Sequence, residues 1–135
     1  MKVIGIDIDK TKAIFYALEK DADGNIINLT GDFKYVTLNN DTDNTRVREF
    51  KSTIHSFFDD INPSKIAILT RQTKGRFKAA PLSFKVEGLI QCYDKIEIEF
   101  LPPPTLTAYY KKNNFNLQLD HNYQEGAAKL AYYLL

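Results

Sequence analysis

Three strand-like runs fill the first 38 residues with almost nothing between them, and that crowding limits the fold more than any other feature. Residues 2–8 are short, rich in β-branched side chains and bounded by charge, as a strand should be. Residues 12–19, Lys-Ala-Ile-Phe-Tyr-Ala-Leu-Glu, make a second run. Asp21-Ala22-Asp23-Gly24-Asn25 then carries turn chemistry: Gly24 can take positive φ, and the Asp and Asn side chains can bond the backbone. Residues 26–38 return as a third strand, bent near Gly31. Connections this short suit antiparallel pairing, so the opening predicts a three-stranded meander.

The pattern then changes period. Residues 39–44 are a polar cluster able to cap a helix, and Val47, Phe50, Ile54, Phe57, Phe58 and Ile61 follow as a stripe on one helical face. Asn62-Pro63-Ser64 stops it. Residues 65–70 are a continuous run typical of a strand covered on both faces. A basic loop, residues 71–78, leads to a helix near residues 82–93. Residues 95–101 alternate as an edge strand, Pro102-Pro103-Pro104 breaks the chain, a short helix is expected around 105–112, and a final helix over 123–135. The order β-β-β-α-β-α-β-α(α) predicts an α/β fold with a mixed five-stranded sheet and helices on both faces. In such a sheet, strands one and four end on the same edge, where ligands bind.

At 135 residues the chain suits one domain, residues 1–135, and 44% hydrophobic content supplies a core. The formal net charge of +1 leaves room for a local basic patch. Cys92 is the single cysteine, which excludes an internal disulfide; it reads as a small buried hydrophobe. The first residues enter a strand directly, without signal-peptide layout. No apolar run approaches the roughly 20 residues of a membrane span. The expected location is the cytoplasm, with no membrane partner.

Several segments carry a resemblance. Gly5-Ile6-Asp7-Ile8-Asp9 resembles the first strand of RuvC-type resolvases, in which Gly-Ile-Asp ends on a metal-binding aspartate. The stretch Phe77-Lys78-Ala79-Ala80-Pro81-Leu82-Ser83-Phe84-Lys85-Val86-Glu87-Gly88 is similar to their helix after strand four, and Glu125-Gly126-Ala127-Ala128-Lys129-Leu130-Ala131 to their last helix, which brings acidic residues to the site. Over nearly its whole length the chain resembles a small bacterial family of unassigned function, domain of unknown function 3010, itself ribonuclease H-like. The resemblance implies a ribonuclease H-like fold and a carboxylate site for Mg²⁺ or Mn²⁺. It also implies a glutamate at the end of strand four, where this chain reads Ile68-Leu69-Thr70-Arg71-Gln72. Thr70 is a poor ligand for a hard dication, so one expected ligand is missing.

Two-metal phosphodiester hydrolysis needs three or four carboxylates around ions about 3.5–4 Å apart. Asp7, Asp9 and Glu125 are the catalytic candidates, and Asp7, Glu87 and Asp120 the candidate metal ligands. Each has a plainer reading: Asp7 as a polar strand end, Asp9 as a turn residue, Glu87 as a surface pair, Glu125 paired with Lys129 at i,i+4, and Asp120 as a helix cap. His55 reads as solvated surface, and His121 precedes the final helix within range of the site. Arg71, Lys74, Arg76 and Lys78, with Lys85 nearby, gather where strand four reaches the active edge, a pattern suited to nucleic-acid phosphates, DNA or RNA. Tyr109-Tyr110-Lys111-Lys112 offers rings beside charge, as stacking platforms do, against the plainer reading of a partly buried helix.

Three readings follow. The first is a module binding nucleic acid or protein without cutting, favoured by the incomplete carboxylate set. The second is a metal-dependent RuvC-like nuclease. The third, a nucleotide-binding domain of the actin and sugar-kinase type, is weakened by six glycines in one short domain. A homodimer is a further expectation from the resemblance, and the apolar end Leu134-Leu135 could serve it.

Overall fold

A computed structural model describes residues 1–71 and 80–135. The first hairpin joins β1 (Lys2–Asp9) to β2 (Lys12–Lys20) through a two-residue turn in which Lys10 takes a positive φ of 58°. β1 then pairs in parallel with β5 (Lys65–Leu69), and β5 with β6 (Ile98–Leu101), giving the order β2-β1-β5-β6. The expected third strand is two: β3 (Ile26–Asn28) and β4 (Tyr35–Thr37) pair with different ends of β2. The sheet thus has six strands in place of five.

Side-chain chemistry causes that break. Gly31 turns the chain at φ 56°, and the buried Thr30 places its hydroxyl where a strand carbonyl would stand, accepting from the Ala17 amide at 2.9 Å. Leu29 N donates to Ala17 O at 2.8 Å and Phe15 N to Lys34 O at 2.9 Å, so β2 loses little of its pairing across the gap. β6 is also shorter than the alternation suggested. It begins at Ile98 and remains the edge strand expected of it.

Strand alternation sorts the core into two layers. Ile4, Ile6, Ile8, Ala13, Phe15 and Ala17 pack against α1 (Asn44–Ile61) and α2 (Pro81–Gln91). Val3, Ile14, Tyr16 and Leu18 face α3 (Pro103–Tyr110) and α4 (Glu125–Leu134), the latter preceded by a single 3-10 turn, Asn122–Gln124. Helices therefore cover both faces. Asp43 caps α1 by accepting from Thr45 N at 2.9 Å, as the polar cluster before it predicts. The proline triplet does more than stop the chain: Pro102 is the N-cap of α3, and Pro103 and Pro104 form its first turn, where no amide is needed.

Two expectations fail on packing. Cys92 is exposed, because α2 ends at Gln91 and its buried face runs through Ser83, Val86 and Ile90. His55 is partly buried between helices: its Nε2 lies 2.9 Å from the Leu89 carbonyl, to which it donates, and its ring meets Tyr93 edge-on at 5.4 Å.

Gly5 decides how closely α4 approaches. A Cβ there would lie 2.3 Å from Ala127 O and 2.7 Å from Ala131 N, so only glycine lets strand and helix backbones meet. That contact brings the start of α4 over the C-terminal end of β1.

Candidate functional site

The end of β1 carries Asp7 and Asp9 on the face that α4 covers. Asp7 is partly buried and Asp9 exposed. A Cβ on Gly126 would sit 2.4 Å from Asp7 Oδ2, so the glycine leaves the space that the carboxyl occupies. Burial holds the Asp7 carboxyl above the ordinary aspartate range. The like charge of Asp9 adds to this, and Arg71 pulls it partly back.

Arg71 follows the end of β5 and is the cation of the site. Its Nε donates to Ser83 Oγ at 3.1 Å, its guanidinium lies 4.8 Å from the Phe84 ring centroid, and its Nη2 is 2.9 Å from Glu87 Oε1. The side chains of Arg71 and Glu87 retain 9% and 16% exposure. The Nη2–Glu87 contact is a close approach of charges without hydrogen-bond alignment, and Nη1 has no hydrogen-bond acceptor among the described residues. Glu87 is thus turned toward Arg71 and does not pair along its own helix.

The remaining candidates disperse. Glu125 is largely exposed and pairs with Lys129 at 2.7 Å, the plainer of its two readings. Asp120 is exposed and acts on the phenols of Tyr16 and Tyr123, helping to hold both above their ordinary range after burial, and for Tyr123 after Tyr35 as well. It does not cap the last helix. His121 caps the 3-10 turn before that helix: its side chain accepts from the Gln124 amide, and the Gln124 side chain accepts from His121 N at 3.0 Å, while α4 itself starts without a side-chain cap. Lys85 is engaged with Asp41 at 3.7 Å. Lys74, Arg76 and Lys78 lie outside the described residues. Tyr110 is structural, donating to Lys129 O at 2.7 Å and packing on Phe115.

No group of three or more His, Cys, Asp or Glu able to hold a metal forms among the described residues. The sequence of residues 72–79, Gln-Thr-Lys-Gly-Arg-Phe-Lys-Ala, contains none of these four types. Among the described residues, β1 brings Asp7 and Asp9 to the edge, while Glu87 is taken up by Arg71 and Glu125 by Lys129, and the guanidinium of Arg71 acts on Asp7. The residues present therefore do not fit the two-ion centre that the fold suggests. Sequence reasoning missed two contributors: Ser83, which orients Arg71, and Gly126, which makes room for Asp7. A glycine inside the otherwise helical run after Glu125 was the available signal for the second.

The strand order and the helices on both faces define a ribonuclease H-like fold. Thermus thermophilus RuvC superposes with a TM-score of 0.75 at 13% identity, covering 97% of this chain and 91% of that one. The same protein in complex with Holliday junction substrate gives 0.70 at 14% identity, covering 97% and 90%. Fowlpox virus resolvase, in complex with its Holliday junction DNA substrate, gives 0.50 at 10% identity over 99% and 93%. No curated protein matches the sequence. The chain belongs to the family described as protein of unknown function (DUF3010), whose model matches residues 1–134.

Proposed function

We propose that this chain is a nucleic-acid-binding module that holds its ligand at the β1–β5 edge without cutting it. The observation that carries the reading is the Arg71–Glu87 pair. A protein cation acts on Asp7 there, and the carboxylate of Glu87 is spent on that cation. Lys74, Arg76 and Lys78, which follow Arg71 in the sequence, are residue types suited to phosphates. The fold neighbours seen with Holliday junctions support a nucleic acid as the ligand class. The retained Asp7–Asp9 pair favours a second reading, a metal-dependent nuclease.

Binding and cleavage are measured on the same four-way DNA junction, with calorimetric titration of Mn²⁺ alongside. The expected outcome is junction binding without Mn²⁺ and intact DNA after incubation with it. Mn²⁺-dependent cleavage that disappears in Asp7→Asn would replace this reading with the nuclease.

A further inference from the structure

Two strands away from Asp7, on the same face of the sheet, aromatic rings and a lysine form a cluster that the reading above leaves unused. Lys12 Nζ lies 4.6 Å from the Tyr35 ring centroid and 4.8 Å from that of Tyr123. The two rings meet edge-on at 5.7 Å, and His121 stacks on Tyr123 at 5.2 Å with 14° between planes. Tyr35 nevertheless remains 50% exposed, and His121 is exposed.

We propose that Lys12, Tyr35, Tyr123 and His121 form a platform on which an unpaired nucleobase stacks beside the Asp7–Asp9 carboxylates. The inference rests on the nucleic-acid reading and names the part of the ligand that this flank takes.

Register places the platform. Asp7 pairs with Ile14 and Ile14 with Tyr35, while Asp9 pairs with Lys12, so Asp7 and Tyr35 share one row of the face and Asp9 and Lys12 the next. Two strand spacings separate Asp7 from Tyr35, about 10 Å. A strand laid across this edge meets rings on one side of the carboxylates and the end of β5 on the other. The cation between the tyrosines is the protein's own, so the cage is not free for an ammonium ligand from outside. What remains available is ring surface next to a positive charge, which suits a base and its phosphate. Stacking is tolerant of sequence because every base has a π-face. The chemistry is common to DNA and RNA.

The test compares binding of dT12, rU12 and an abasic deoxy 12-mer of the same charge by the intact protein and by Tyr35→Ala and Tyr35→Phe. The expected result is about tenfold tighter binding of a base-bearing strand than of the abasic one. Tyr35→Ala should erase that preference, and Tyr35→Phe should keep it. Whichever backbone shows the preference identifies the nucleic acid. If Tyr35→Ala melts early, Tyr35→Leu covers Lys12 without a π-face and is read in its place. Equal binding of base-bearing and abasic strands by the intact protein overturns the platform and leaves the nucleic-acid reading standing. Binding to none of the three, nor to a four-way junction, removes that reading and the platform with it.

Discussion

The carboxyl of Asp7 sits under the first turn of α4, in the space that Gly126 leaves, and its surroundings oppose its ionisation. A raised native pKa means that the folded chain holds this proton after the unfolded chain, at the ordinary value of 3.8, has released it. Stability from this group is therefore present below pH 3.8 and is lost as pH rises through the native pKa. At neutral pH the ionised carboxylate is a cost. Asp7→Asn should melt above the parent at pH 7, with the gain shrinking as both are taken toward pH 3, followed by thermal melts across that range. A variant no more stable at pH 7 would show that Arg71 fully offsets the burial. Asp7 was legible in the sequence because Gly-Ile-Asp and strand alternation place it at a sheet edge. Its protonation behaviour was not, since burial and Arg71 reach it from other elements.

Between elements, single side chains stand in for regular structure. Thr30 replaces a strand carbonyl for the Ala17 amide, so Thr30→Val removes the acceptor and leaves that amide buried. A loss of about 1–3 kcal/mol is expected in denaturant unfolding, against nearly none if the strand re-pairs. The Arg71–Glu87 pair ties the end of β5 to α2. Removing one member strands the other, so Arg71→Met and Glu87→Met should each cost about 2–4 kcal/mol. The double variant should cost less than the sum of the two. Strictly additive losses would mean that the charges do not interact. The helices and strands themselves were readable from periodicity, including the stripe from Val47 to Ile61. The break in strand three was readable only as a bend at Gly31, because the hydroxyl that replaces the missing pairing belongs to an ordinary threonine.

For the molecule as a whole, the sheet edge gathers unlike chemistries: two carboxylates at its centre, the Arg71–Glu87 pair on one flank, rings around Lys12 on the other. Net charge near zero hides this arrangement. If Lys74, Arg76 and Lys78 contact phosphates, replacing all three with Ala should weaken junction binding and flatten the slope of log K against log salt by about 2–3. An unchanged slope would remove the segment from the interface. Among the described residues no helix is long and apolar enough to cross a membrane.

The sequence by itself determined the element order (except for the split of strand three), the two-sided sheet and the position of Asp7, because those follow from local periodicity and turn chemistry. Tertiary structure decided which candidates meet. Glu125 went to a neighbour four residues away, and Glu87 to Arg71 across two elements. At Tyr109–Lys112 the plainer reading holds, a partly buried helix with exposed lysines at its end, whereas Lys12, Tyr35 and Tyr123, distant in sequence, came together. The physical reason is that a side chain's partner is set by packing between elements, and spacing within one element carries no record of it.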